Sequence, residues 1–419
     1  MKVRCFDFDA KCKRTDKVLP VRLFGQAPNK DWASVGATAA NRIRVERFDV
    51  HAPVRDLFRI GLAVVAADHG VPRDNAQDGW TRQIHLEVPV EQSAIWNGKK
   101  TAVERMLKFL TGDLWTLTFK LAKTKLGQDK REPKYLKGKA VSLLSGGADS
   151  LVGALDLAAT GEEWTAVSQT SSDTNVQAEF ASSTNVARHL QWTHVVHIPY
   201  DDEPSQRARS VGFFAFALVA AVSTEAYHAG ETVTLHASEN GLISLNPALT
   251  PTRIGSASTR TTHPCFIGQF QVLLDDLGVN VELNNDYQRL TKGEMYLACK
   301  KPDQFRNLVA KSMSCGKGGR INMHCGRCVP CIIRRAAFHR SGITDMTNYQ
   351  FDTDSEGFRD SDDVRCAYIG SSNHSDRRWV ENAVLPALFE CHIENRLSLV
   401  DVAQRGLKEV HDFLVEAFR

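Results

Sequence analysis

Four of the ten cysteines fall within one short stretch, "SCGKGGRINMHCGRCVPC", with the spacing Cys315-x9-Cys325-x2-Cys328-x2-Cys331. Thiolates this dense act as metal ligands far more often than as packing residues. Four sulfurs leave no open coordination position, which is the donor set of a closed, structural Zn²⁺ site. His324, beside Cys325, is the alternative ligand. Cys5, Cys12, Cys265, Cys299, Cys366 and Cys391 read as ordinary buried or free thiols.

A second stretch suits a different chemistry. In "LLSGGADSLVGALDL", residues 143–157, an apolar run meets Gly146 and Gly147, then Asp149 and Ser150, then a second apolar run. A strand that hands over to a helix here would aim the helix's first N–H groups, and the positive end of its dipole, at an anion. The two glycines let the backbone approach a phosphate closely. Ser145 and Ser150 can add hydroxyl donors. Asp149 cannot receive a phosphate directly and suits orienting donors or holding Mg²⁺. The G-x-x-x-x-G-K-[ST] phosphate loop is absent, because no lysine follows the glycines. The bland alternative is a plain tight turn. Arg207 and Arg209, ahead of the apolar run "VGFFAFALVAAV", are either surface charges or a clamp for a nucleotide phosphate.

These residues need a frame. The chain has 419 residues, 42% hydrophobic and 24% charged, enough for two or three domains with real cores. A formal net charge of +3 gives no global footprint for nucleic acid. The N-terminal "MKVRCFDFDAKCKR" lacks the apolar core of a secretory signal, and the longest apolar run, Val211 to Val222, is too short to cross a bilayer. A cytoplasmic protein with reduced thiols is expected, with no membrane and no nucleic acid among its partners.

Residues 1–135 read as an α+β domain. Its strands are "VLPVRLF", "RIRVERFDV", "RQIHLEVPV" and "LWTLTFKLA", and its helices "PVRDLFRIGLAVVAADHG" and "KTAVERMLKFLTG". Lys123 to Lys139 reads as a solvated linker, or alternatively as a basic docking surface. From residue 136 to 345 the rhythm is βα. "AVSLL", "WTAVSQT", "THVVHIPY" and "ETVTLHAS" are short runs of the kind buried on both faces of a doubly wound parallel sheet. Residues 346–419 read as helical, with Val400, Ala403, Leu407, Val410, Leu414 and Ala417 forming one apolar stripe.

Ser145-Gly146-Gly147-Ala148-Asp149-Ser150 resembles the SGGxDS loop of the PP-loop ATP pyrophosphatases. Together with the cysteine spacing, with "CVPCIIRRAAFHRSGITD" (Arg334, Ala337, Phe338, Gly342, Asp345) and with "LTKGEM" (Leu290 to Met295), it resembles the QueC family of 7-cyano-7-deazaguanine synthases over roughly Lys139 to Asp345. The resemblance implies ATP cleaved between its α and β phosphates, adenylation of a 7-deazaguanine carboxylate, and attack by ammonia. It also implies a nucleotide site formed by Ser145 to Ser150 with Arg209, in which Ser145, Asp149 and Arg209 are catalytic. Departures accompany it. The family's GRN is Ala208-Arg209-Ser210 here. Its aspartate-rich segment is replaced by a long polar one, in which Glu239, Asn240, Arg253, Ser258, Thr259, Arg260 and His263 either line the site or make a surface excursion.

The added end domains resemble those of enlarged QueC-like proteins of bacterial antiphage systems. Three functions follow: an amide ligase whose amine acceptor includes polypeptides, a nitrile synthase, and a nucleotide-binding component of a defence complex without turnover.

Overall fold

The computed structural model describes residues 1–7, 12–127, 131–200, 202–250, 260–318, 323–389, 391 and 395–419. It divides into two units. One comprises Met1–Val141, Leu190–Leu235 and Gln269–Glu282, the other Ser142–His189, His236–Gly268 and Leu283–Arg419.

The first sheet contains β1 (Lys2–Phe6), β2 (Val18–Leu23), β3 (Ala33–Val35), β4 (Gln83–Val90) and β5 (Leu114–Leu121), in the order β3-β2-β1-β4-β5. All four strand pairs in it are parallel. Helices α1 (Ala37–Glu46), α2 (Ala52–Gly70) and α3 (Ser93–Thr111) accompany it. "RIRVERFDV" is not the expected strand. Its alternation misled, because Ala39 and Ile43 form an i,i+4 pair facing inward on α1 while Val45 stays exposed.

The second sheet has the order β10-β9-β6-β7-β8. Its strands are β6 (Ala140–Leu143), β7 (Trp164–Gln169), β8 (Arg188–Trp192), β9 (Val233–His236) and β10 (Val281–Asn284). The bonds Val233 N to Asn280 O and Ala237 N to Asn284 O advance four residues together, the mark of a parallel pair. Helices α4 (Ala148–Thr160), α5 (Thr174–Ser183) and α6 (Arg209–Val222) interleave with these strands, as expected of a doubly wound sheet. "THVVHIPY" corrects to "RHLQW": Leu190 and Trp192 are buried on β8, whereas Val195 is exposed with φ 39°. Helix α6 buries nearly all its length, and α2 packs along it within the first unit.

Short helices α7 (Glu225–His228) and α8 (Gly241–Leu245) flank β9, and α9 (Pro264–Asp276) precedes β10. In the second unit, α10 (Lys292–Ala298), α11 (Pro302–Leu308) and α12 (Val329–Ser341) lead to α13 (Glu356–Arg359), α14 (Asp362–Ser372), α15 (Arg377–Val384) and α16 (Arg396–Ala417). The expected stripe holds. Val400, Ala403, Leu407, Val410 and Leu414 pack with Leu242, Ile332, Val364 and Val384 into one apolar core. Among the described residues no helix is long and apolar enough to cross a membrane.

Candidate functional site

In the second sheet β6 and β9 lie side by side, and the order reverses between them. At such a switch point the loops leaving two neighbouring strands diverge and open a crevice for ligands. Ser145 to Gly147 leaves β6, and Ser238 to Asn240 leaves β9.

Gly146 takes φ +91°, and a Cβ there would lie 3.0 Å from the Asp173 Cβ, so only glycine fits without strain. Gly147 then caps α4 without a side chain. Ser145 Oγ donates to Ser150 Oγ at 3.1 Å, and Ser150 Oγ lies 2.9 Å from the Gly147 carbonyl. Gln177 Nε2 donates to Ser145 O at 3.2 Å, and Met313 N donates to Gly146 O at 3.1 Å. The loop is therefore fixed on both sides, with Ser145 exposed at its tip.

Asp149 points the other way, into the protein. Its Oδ2 accepts from Asn240 Nδ2 at 2.7 Å and from Asn240 N at 3.2 Å, and its Oδ1 accepts from Lys292 Nζ. Both partners of this ion pair are buried. Burial alone would raise the Asp149 carboxyl, but the Lys292 ammonium together with hydrogen bonds to Glu239 and Asn240 holds the group well below the usual carboxylate range. Lys292 answers in kind: burial lowers it, and Asp149, with smaller contributions from Tyr296 and Glu239, leaves it above its ordinary value. Glu239 lies against the same pair, with Oε1 3.5 Å from Asn240 Nδ2. Burial, then the Asp149 charge, pushes its carboxyl well above the ordinary range. Asp149 thus organises donors. Both its oxygens are engaged, so a magnesium ion would have to displace a partner.

Lys292 lies in the "LTKGEM" segment quoted above, but the sequence reading gave it no role at the site. The signal was present, because Thr291 and Glu294 form a capping box at the start of α10, with Lys292 between them.

Two arginines weighed as phosphate clamps separate. Arg207 donates from Nη1 to Thr111 O at 2.9 Å and lies over the Trp80 ring at 4.1 Å. It is consumed by packing within its own unit. Arg209 opens α6 and is exposed, and it belongs to the first unit while the glycine loop belongs to the second. Of the polar segment, Asn240 caps α8, accepting from Ile243 N at 3.1 Å. Burial drops His263 to about 3, so it is neutral. Arg260 is half-buried. Arg253, Ser258 and Thr259 lie outside the described residues.

The sulfurs of Cys315, Cys325, Cys328 and Cys331 all lie within 4.8 Å of one another. Cys315 Sγ to Cys328 Sγ is 3.8 Å, and Cys325 Sγ to Cys331 Sγ is 4.0 Å. Tetrahedral Zn–S bonds of about 2.3 Å place sulfurs about 3.8 Å apart, so the set fits zinc. Lys317 N and Cys325 N donate to Cys315 Sγ, each at 3.3 Å, and Cys328 N donates to Cys325 Sγ at 3.4 Å. His324 stands outside this four-sulfur set, and its Nε2 accepts from Ser314 N at 3.1 Å. Cys265 and Cys391 correct another expectation. They are paired, with Cα atoms 5.4 Å apart, and their separation of 126 residues gave no sign of it.

Residues 262–342 match the family described as queuosine biosynthesis protein QueC. A 7-cyano-7-deazaguanine synthase of Rhizobium leguminosarum bv. trifolii is 56% identical over 91 residues, 21% of this chain and 36% of the relative. The synthase of Sinorhizobium fredii is 37% identical over 91 residues, 21% of this chain and 36% of the relative. That of Brucella ovis is 37% identical over 91 residues, 21% of this chain and 37% of the relative. The chain thus spans little more than a third of the length of these relatives.

Proposed function

We propose that the chain uses ATP to adenylate a 7-deazaguanine carboxylate of the 7-carboxy-7-deazaguanine type, and then joins it to an amine. The acceptor class includes polypeptide amines, and the setting is antiphage defence, as for the enlarged QueC-like protein QatC. The reading rests on one observation: an SGGxDS loop seated at the strand–helix corner beside the sheet's switch point, with Asp149 drawn inward by Lys292 and Asn240.

A carboxylate is a poor electrophile. Its oxygen would attack the α phosphorus of ATP, the bond to the β phosphate would break, and pyrophosphate would leave. The amine nitrogen would then attack the acyl carbon, the C–O bond would break, AMP would leave, and the amine's proton would pass to a base. This chain's part is to bind and orient. The Gly146–Gly147 backbone and the first N–H groups of α4 suit the phosphates, and the Ser145 hydroxyl would donate at the loop's tip by turning from Ser150 Oγ. Asp149 keeps the Lys292 ammonium and the Asn240 amide in place beneath the loop. Arg209 belongs to the reading as a phosphate contact, and Mg²⁺ as the counter-ion of the triphosphate. Cys315, Cys325, Cys328 and Cys331 would hold Zn²⁺ for structure. Residues 1–135, 136–345 and 346–419 would serve as accessory domain, catalytic domain and helical extension.

The second reading, nitrile synthesis from ammonia, is favoured by the names of the matched relatives. Incubation with ATP, 7-carboxy-7-deazaguanine and either ammonia or a lysine-containing peptide, read by mass spectrometry, separates the two. A conjugated amide supports the ligase, and a free nitrile as sole product replaces it.

A further inference from the structure

Helix α16 lies outside the segment matched to the QueC family, and its contacts converge on one turn of the second unit. Glu409 Oε1 accepts from the Thr291 hydroxyl, and its Oε2 accepts from Gly293 N at 3.3 Å. These two residues flank Lys292. Four residues earlier on the same helix, Arg405 donates from Nε to Glu294 Oε1 at 2.7 Å and from Nη2 to Glu294 Oε2 at 3.0 Å. Arg405 Nη2 also donates to Arg289 O at 2.9 Å. Residues four apart share a helix face, so α16 grips the turn 289–294 along one edge.

The grip is tight where Lys292 leaves the chain. A Cβ on Gly293 would come within 2.8 Å of Glu409 Oε1 and 2.6 Å of Arg340 Cγ. Thr291 is fully buried, and Lys292 and Glu409 nearly so. A charged carboxylate in such a place is costly unless its hydrogen bonds matter to the fold or to a site. The core beneath α16 is already supplied by Leu407, Val410 and Leu414, so burial of Glu409 is not needed to seat the helix.

We propose that Glu409 is a positioning residue: it fixes the Thr291–Gly293 turn so that Lys292 meets Asp149, making the C-terminal helix part of the nucleotide site. The assignment of a nucleotide rests on the function proposed above, whereas the mechanical coupling does not. Helix α16 therefore acts on the site without touching the ligand, and a chain ending before it would leave Lys292 without its brace.

The test uses full-length protein and two readouts. Urea unfolding of Lys292→Met, Glu409→Ala and the double variant gives a coupling that needs no ligand. Calorimetric titration with ATP gives the effect on binding. Leu407→Ala is the control for simple loss of stability on the same helix, and Gly293→Ala is the second way to disturb the brace. Positioning predicts a clear non-additivity in unfolding. It also predicts that Glu409→Ala and Gly293→Ala weaken ATP binding about tenfold, Leu407→Ala leaves it unchanged, and the double variant binds no worse than Lys292→Met alone. Additive unfolding, or binding that falls equally in Leu407→Ala, overturns the proposal. If the unmodified protein binds no ATP, the nucleotide reading fails, and the unfolding cycle alone still decides whether Glu409 positions Lys292.

Discussion

Lys292 donates from Nζ to Asp149 Oδ1 inside the protein, across 143 residues of sequence, joining the helix after the glycine loop to the turn before the zinc segment. With both side chains removed from water, the pair is worth more as a device for holding the loop than as a source of stability. Buried ion pairs roughly break even against apolar packing, yet removing one partner leaves an uncompensated charge.

Asp149→Ala should therefore destabilise the protein by about 3–5 kcal/mol. Asp149→Leu combined with Lys292→Met should be much milder than either single change. Urea denaturation with both single variants checks this, and a double variant as unstable as the sum of the singles would show that the pair is not a coupled unit.

Glu409 carries a pH signature. Burial, with the Glu294 charge adding to it, pushes its carboxyl from 4.5 to about 7, against the hydrogen bonds from Thr291 and Gly293 and the charge of Arg340. An acid raised in the folded state ionises first in the unfolded chain, so its protonated form favours folding and that advantage fades as pH rises. Between about pH 4.5 and 7 the parent protein should lose stability relative to Glu409→Gln, with little further change above that window. Melting temperatures of the two across this range provide the check, and parallel curves would contradict it.

Much of the site was legible from sequence because its chemistry is local. The SGGADS corner and the cysteine spacing each fit within one short segment, and the structure puts the loop at a strand–helix corner and the four sulfurs together. The partners of Asp149 are remote in sequence, so Lys292 and Asn240 could be placed only by the fold. Pattern reading failed where amphipathic periods are ambiguous. "RIRVERFDV" alternates like a strand but continues the helix begun at Ala37, and β10 is four residues long with two buried positions, too short to register. The grip of Glu409 on the turn before α10 has no sequence signal, because a lone glutamate on an amphipathic helix reads as solvated.

One zinc ion per chain is expected, held by Cys315, Cys325, Cys328 and Cys331. Metal binding is linked to folding, so Cys328→Ser or prolonged chelation should lower the melting temperature and promote aggregation. Elemental analysis and a chelator titration followed by calorimetry test this. Soluble protein of unchanged stability without zinc would refute a structural site.

The N-terminal segment should not be removable at Tyr135. Helix α2 packs along α6, which buries Val211, Phe214, Phe216 and Leu218, and deletion would expose that face. A chain beginning at Tyr135 is expected to be insoluble or to bind a hydrophobic dye strongly. A soluble, cooperatively melting fragment would contradict this.

The site of ATP cleavage tests the account most directly. Purified full-length protein incubated with ATP and 7-carboxy-7-deazaguanine, followed by phosphorus NMR, should give AMP and pyrophosphate only when the carboxylate is present. Ser145→Ala and Asp149→Asn should abolish both products, and Asp149→Asn should keep the fold by circular dichroism. Release of ADP and inorganic phosphate, or AMP formation that does not depend on the carboxylate, would contradict it.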